Sequence, residues 1–341
     1  MQVVQATRFG GPEVLMIREV PDPVAGPGQV VVDVSVADTL HLDTVIRRGQ
    51  FPFPVVEPPY VPGAGVAGEV ASVGEEVDGG WAGRRVVVRT GVPDSRADTE
   101  TVGQLAERDT HAGGYAERAV VATRALIPVP DELGLREAAA LINDGMTAML
   151  LFEVAQVRPG EWVLITPAGG GLGSLLVQLA QASGARVVGA ARGERKLDLA
   201  RELGAEAVVD YSREGWPERV REATDGKGPD VVLDGVGGQV GRASFEVTAR
   251  GGRFVAYGAP SGEFAQIDPK EADQHAVAVV SLFELELTAA DEKRLIERAL
   301  SEVAASRIRP VIGQTFPLEQ AADAHAAIEA REVIGKTLLL I

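Results

Sequence analysis

The stretch Glu161-Trp-Val-Leu-Ile-Thr-Pro-Ala-Gly-Gly-Gly-Leu-Gly173 decides the fold. Residues 162–165 are a short apolar run between Gly160 and Pro167, the pattern of a buried parallel strand. Glycines follow, then Ser174-Leu-Leu-Val-Gln-Leu-Ala-Gln-Ala-Ser183, apolar at helical spacing and stopped by Gly184. Strand, glycine turn and helix form the context in which a dinucleotide fingerprint carries meaning. Set on G-x-G-x-x-G, the three positions are Ala168, Gly170 and Gly173, so alanine replaces the first glycine. Gly170 would let the backbone approach a pyrophosphate. Gly173 would let the helix pack on the strand, with its first N–H groups facing the anion.

The same rhythm continues outward. Ala185–Ala191 reads as a second strand and Glu194–Leu203 as a helix stopped by Gly204. Glu206–Asp210, Asp230–Asp234 and Arg253–Tyr257 read as a third, fourth and fifth strand. Strands alternating with helices at this spacing predict an α/β fold with a doubly wound parallel sheet.

An NAD enzyme of this type carries Asp or Glu at the end of the second strand, about 20 residues past the fingerprint, for the ribose 2′-hydroxyl. Here the place reads Ala190-Ala191-Arg192-Gly193, without an acid. Glu194 is the first-turn carboxylate of the next helix. Arg192 and Lys196 suit a 2′-phosphate instead. Two charge-assisted bonds of about 1.5 kcal/mol each would favour NADP by about a hundredfold. The expected cofactor is therefore NADPH.

The chain has 341 residues, enough for two domains, and a net charge of −16. That charge argues against nucleic acid and anionic membrane as partners, because both require a basic face. Cysteine is absent, so disulfides, thiolate zinc sites and cysteine nucleophiles are excluded. Met1–Arg8 has no apolar core of signal-peptide length and no run approaches a membrane span, so a cytoplasmic location is expected.

Residues 2–36 alternate short apolar runs with Gly/Pro turns, as do 61–73 and 81–88. This predicts a small β domain over 1–128, followed by the dinucleotide domain over 129–284. Leu133–Gln156 reads as largely helical, and Thr288-Ala-Ala-Asp291 as a capping box opening a helix to about Ser306. The terminal strand Thr337–Ile341 fits a return of 285–341 to the first domain. Residues 89–112 are polar and aperiodic, a disordered loop or a lid. His325, in an Ala-rich segment, reads as a packed or surface residue.

Phe9-Gly-Gly-Pro-Glu-Val-Leu15, Asp43-Thr-Val-Ile-Arg-Arg-Gly49, Val61-Pro-Gly63 and Gly114-Tyr-Ala-Glu117 stand in order along the chain. Gly145-Met-Thr-Ala148, the glycine turn, Leu203-Gly-Ala205, Asp234-Gly-Val-Gly-Gly238 and Arg309-Pro-Val-Ile312 follow. Together they make the chain resemble the medium-chain dehydrogenase/reductase superfamily, in its zinc-free quinone oxidoreductase branch. The resemblance implies a GroES-like β-barrel domain, a Rossmann domain, an active-site cleft between them and a homodimer. It implies that Gly170, Gly171 and Gly173, with Ala168 and Leu172 in the same turn, hold the pyrophosphate. It further implies that Lys196 and Tyr211, with Arg331, meet the 2′-phosphate. Thr147, Val236, Gly237, Tyr257, Gly258, Leu282 and Phe283 would line the nicotinamide side.

Two departures stand out. Zinc-dependent relatives place cysteine where Leu40 stands and a His-Glu pair where Ala64-Gly65 stand, so no metal is expected. The quinone-reductase branch reads Val-Asn-Pro-x-Asp/Glu where this chain reads Thr39-Leu-His-Leu-Asp43, so the asparagine that would meet the substrate oxygen is gone. If an acid takes part, His41, Asp43 and Tyr115 are the candidates. The leading expectation is hydride transfer from NADPH to a quinone or similar conjugated carbonyl. Two alternatives stand beside it: an NADPH-dependent enoyl reductase and a non-catalytic NADPH-binding protein.

Overall fold

The computed structural model describes residues 1–51, 56–90 and 113–341. From residue 91 onward the loop singled out above lies outside the described residues. Two compact units result: Met1–Met146 with Leu287–Ser306 and Ile312–Ile341, and Thr147–Glu286 with Arg307–Val311.

The first unit is built on valine-rich strands. β1 (Gln2–Ala6) pairs antiparallel with β2 (Leu15–Glu19). β3 (Gln29–Thr39) is followed by helix α1 (His41–Arg47), then β4 (Val66–Val73), β5 (Arg85–Val88), β6 (Arg118–Ala122) and β7 (Ile127–Pro128). Val30, Val32 and Val34 of β3 are buried with Val66, Val70, Val86 and Val88 in one apolar core, and Val31 and Val36–Thr39 are buried as well, so most of this strand is covered on both faces.

Helices α2 (Leu135–Ile142) and α3 (Asp144–Ala155) follow, where the sequence pattern predicts one helical stretch. They are bent by 48° where Asn143 separates them. Residues Ala138–Ile142 are all buried, and α2 packs on β3, β4 and β5. This packing carries the first unit to Met146, past the boundary expected at residue 128.

The second unit is a six-stranded parallel sheet in the order β10-β9-β8-β11-β12-β13. The strands are β8 (Trp162–Thr166), β9 (Arg186–Ala191), β10 (Ala207–Asp210), β11 (Val231–Asp234), β12 (Arg253–Ala256) and β13 (Ala278–Ser281). Their connecting helices are α4 (Gly171–Ala182), α5 (Glu194–Glu202), α6 (Trp216–Ala223), α7 (Gly238–Glu246) and α8 (Pro269–His275). Val163, Leu164 and Ile165 of β8 have no exposed surface, as a central strand covered on both faces requires. Strand order reverses between β8 and β11, which is where an open α/β sheet presents a binding crevice at its carboxyl end. Ala276 caps α8 in the left-handed region at φ 53°, and β13 starts two residues later.

The chain then returns to the first unit. α9 (Ala289–Ala304) is opened by the Thr288–Asp291 capping box, Asp291 N–H donating to Thr288 Oγ1 and Thr288 N–H to Asp291 Oδ2. β14 (Ile312–Pro317), α10 (Ala321–Glu329) and β15 (Lys336–Leu340) end the chain. β15 pairs antiparallel with β3, Thr337 opposite Thr39 and Leu338 opposite Asp38.

Candidate active site

In the second unit the turn between β8 and α4 has the steric economy expected of a phosphate cradle. A Cβ on Gly173 would lie 1.9 Å from the carbonyl oxygen of Pro167, so only glycine lets α4 start this close to the strand. A Cβ on Gly169 would meet Lys196 Cβ at 2.6 Å, which sets the Lys196 stem against the turn. Gly170 differs. Its φ of −90° suits any residue and nothing lies within 4 Å of an added Cβ, so the protein's own packing does not require glycine there. A backbone that a ligand approaches closely would account for glycine here, at the start of a helix whose first N–H groups have no partner within the helix. The pyrophosphate of a dinucleotide fits these residues.

The carboxyl ends of the neighbouring strands are tied together beside this turn. Asp234, fully buried at the end of β11, accepts from Thr166 Oγ1 at 2.9 Å and from the N–H groups of Val236 and Gly237 at 3.1 and 3.2 Å. Burial raises the pKa of its carboxyl and these donors oppose the rise. Tyr257 Oη donates to the carbonyl of Thr166 at 3.1 Å. Its ring lies on Gly235, where a Cβ would come within 2.2 Å of it. Val236, Gly237, Tyr257 and Gly258 are thus gathered at the ends of β11 and β12. Thr147 stands near the N-terminal end of α3, and Leu282 and Phe283 follow β13.

Past β9, Arg192 is exposed and Lys196 and Tyr211 are half-buried. An acid missed at sequence level also stands here. Asp210, at the end of the third strand, accepts from the N–H groups of Ser212 at 2.9 Å and Gly193 at 3.4 Å. It orders the turn that precedes α5, a role its position in the sequence pattern does not reveal.

The first unit holds the three acid candidates and Arg331. His41 is exposed and Arg331 bears on it electrostatically. Asp43 and Tyr115 are buried together, Tyr115 Oη 3.3 Å from Asp43 Oδ2. Asp43 Oδ2 also accepts from Leu40 N–H at 2.8 Å. Burial pushes the Asp43 carboxyl up to about 7. His325 is no surface residue: it is fully buried, with Nε2 2.9 Å from Tyr115 Oη and Nδ1 3.3 Å from Arg47 Nη1. Burial, with the neighbouring Arg47, pulls its pKa down to about 3. Arg47 and Arg48 both pair with Glu329.

A second buried cluster was not foreseen. Lys336 Nζ lies 2.6 Å from Asp38 Oδ1 and 3.2 Å from Asp144 Oδ2. Asn143 Nδ2 donates to Asp38 Oδ2 at 2.9 Å. Burial alone would pull the ammonium down, but the Asp144 and Asp38 carboxylates prevail and hold it charged. The visible signal was a charge inside each of two apolar strands, Asp38 after Val36-Ala37 and Lys336 before Leu338-Leu339.

Known proteins share this organisation. Residues 26–131 match the model of the alcohol dehydrogenase GroES-like domain, and residues 171–301 that of the zinc-binding dehydrogenase. A quinone oxidoreductase of Pseudomonas aeruginosa is 33% identical over 99% of this chain and 98% of its own. A 2-haloacrylate reductase of a Burkholderia species is 34% identical over 97% and 96%. Among solved structures, an NAD-dependent alcohol dehydrogenase aligns with a TM-score of 0.87 at 34% identity. Escherichia coli quinone oxidoreductase complexed with NADPH aligns with a TM-score of 0.86 at 27% identity, and both alignments cover all of each chain. The fold and site therefore define a pyridine-nucleotide-dependent oxidoreductase with a GroES-like and a Rossmann unit. The chain belongs to the medium-chain dehydrogenase/reductase superfamily, in its quinone oxidoreductase branch.

Proposed function

We propose that this protein is an NADPH-dependent reductase that delivers hydride to a quinone or a similar conjugated carbonyl, without zinc. The observation that carries the reading is the match to a quinone oxidoreductase along 99% of the chain. NADPH is supported by the absence of a carboxylate at the end of β9 and by Arg192 and Lys196 beside the glycine turn. Its pyrophosphate would lie on the Gly170–Gly173 backbone, its 2′-phosphate by Arg192, Lys196 and Tyr211. When bound, NADPH supplies a hydride from C4 of the nicotinamide.

The chain's own residues position and desolvate. Asp234, Thr166 and Tyr257 brace the strand ends so that the backbone at Val236–Gly237 and Gly258 keeps one shape. A reduced quinone is a stabilised anion that takes its proton from water, so no strong acid is required. Among the described residues, the positions that hold zinc in zinc-dependent relatives do not fit it here: Leu40, Ala64 and Gly65 carry no side-chain donor, and nearby Asp38 is engaged by Lys336. We also propose a homodimer, supported by the edge position of β13, where Val279 is 41% exposed.

A second reading is favoured by the 2-haloacrylate reductase relative: reduction of an activated carbon–carbon double bond. One experiment separates the two. NADPH oxidation is followed with p-benzoquinone and phenanthrenequinone beside an enone, a haloacrylate and an enoyl thioester, with NADH as control. Fast quinone turnover supports the first reading, and turnover of the alkenes alone supports the second. Replacing Arg192 and Lys196 by Ala should each raise the KM for NADPH about tenfold and leave that for NADH unchanged. Equal use of both cofactors by the unaltered enzyme defeats the 2′-phosphate assignment.

A further inference from the structure

Arg47, His325, Tyr115 and Asp43 form a buried chain whose hydrogen-bond directions follow from one fixed donor. A guanidinium has no acceptor, so Arg47 Nη1 donates to His325 Nδ1 over 3.3 Å. Nδ1 is then bare and Nε2 carries the hydrogen, as in any neutral imidazole bonded this way. Nε2–H donates to Tyr115 Oη over 2.9 Å. The tyrosine proton is directed to Asp43 Oδ2, 3.3 Å away. That same oxygen takes the N–H of Leu40. Arg47, His325 and Tyr115 are each 0% exposed, so bulk water offers no competing partners. The outer end of the chain is Glu329, which pairs with Arg47 and Arg48.

The surroundings of Asp43 are specific. From its own segment come Leu40 N–H and Arg47, with His41 at the exposed corner. The Tyr60 hydroxyl comes from the segment before β4 and Tyr115 from that before β6. Asp38 on β3 raises its pKa and Lys336 on β15 lowers it. His325 and Glu329 stand behind, on α10.

We infer that Asp43 positions the Leu40–His41 corner for the reductase reaction, and that Arg47, acting through His325 and Tyr115, sets how firmly Asp43 holds it. This rests on the reading above, in which the residue at position 40 stands on the substrate side. As a carboxylate, Asp43 grips Leu40 N–H by a charge-assisted bond; once protonated, it accepts more weakly. Because the directions are fixed by Arg47, each link upstream adds to the donor strength that Tyr115 offers Asp43. Burial brings the carboxyl into the working pH range at about 7, while His325, at about 3, stays neutral throughout that range. The relay therefore keeps one direction while its end group titrates.

The test has one arm that needs no turnover. Asp side-chain carboxyl carbons and His ring nitrogens are labelled for NMR, and the protein is titrated from about pH 5 to about pH 9. His325 should keep Nε2 protonated and Nδ1 bare throughout, and Asp43 should titrate near neutrality. Tyr115→Phe should raise that midpoint by about one unit, because a donor to the carboxylate is lost. His325→Leu should raise it too, whereas His325→Gln, which can still accept from Arg47 and donate to Tyr115, should restore most of it. In the second arm, kcat/KM for p-benzoquinone should inflect at the same midpoint, shift with it in Tyr115→Phe and lose the inflection in Asp43→Asn. An Asp43 midpoint unmoved by Tyr115→Phe overturns the relay. A midpoint that moves while the kinetic inflection stays overturns the positioning role. If no acceptor is reduced by the unaltered enzyme, the reductase reading fails and the positioning role fails with it, while the NMR arm still decides the relay.

Discussion

The two faces of the β3–β15 ribbon carry two buried polar clusters that behave in opposite ways. Side chains alternate across a strand, so Asp38 and Lys336 stand on one face, and Thr337 and Thr39 on the other, with Thr39 beside Tyr115. On the first face an ammonium sits at 2.6 Å from a carboxylate, with a second carboxylate at 3.2 Å. On the second, Asp43 is just as buried and, among the described residues, accepts from a backbone N–H and a phenol. Burial raises the pKa of both carboxyls and the charge of Lys336 opposes the rise at both, but its ammonium hydrogen-bonds to Asp38 and not to Asp43. A buried carboxylate with a permanent cation at contact distance is structural; one with neutral donors becomes a titrating group.

The largest effect that would break this contrast is expected at Lys336. Lys336→Met leaves Asp38 and Asp144 without their cation, which should cost about 3–5 kcal/mol in a urea or guanidinium titration. Adding Asp38→Asn in that background should recover part of the loss. A cost below about 1 kcal/mol would mean that the ammonium is not what makes the first face static.

The next effect concerns pH. Asp43 has a folded pKa raised to about 7 from 3.8, so the folded state holds a proton that the unfolded chain releases. Its contribution is full below pH 3.8 and is lost as pH rises to about 7. His325 is lowered to about 3 from 6.5, so its contribution is full above pH 6.5 and is lost as pH falls towards 3. The two slopes oppose each other, and between about pH 4 and pH 6.5 they should nearly cancel. Each substitution should expose the other slope. Stability of Asp43→Asn should rise with pH across this window, and that of His325→Gln should fall, each by about 3–4 kcal/mol in all. Parallel curves for the two variants would refute the assignment of titrating groups.

The smallest effect is expected at Asp144→Asn. It keeps the shape of the first face but removes the more distant partner of Lys336, which is itself partly exposed. About 1 kcal/mol is expected from denaturant midpoints.

Most of the second unit was legible in the chain because its determinants are local. Strand–glycine–helix spacing, the stop at Gly184, which adopts φ +78°, and the missing acid after β9 all lie within short windows. The bend at Asn143 was not legible, because the helical pattern continues through it and the break is set by what α2 packs against. His325 looked like filler in an Ala-rich helix. Its role depends on Arg47, Asp43 and Tyr115, which lie 278, 282 and 210 positions away in the chain.

By itself, then, the sequence determined the class of fold, the placement of the glycine turn, the absence of thiolate ligands and the cofactor preference expected of Arg192 and Lys196. These depend on backbone freedom, periodicity and charge within neighbouring residues. The tertiary structure alone decided which buried charges meet. It placed Lys336 between Asp38 and Asp144, set the direction of the chain from Arg47 to Asp43, and extended the first unit to Met146. Burial energies and hydrogen-bond directions depend on groups brought together from distant parts of the chain, and no local pattern specifies them.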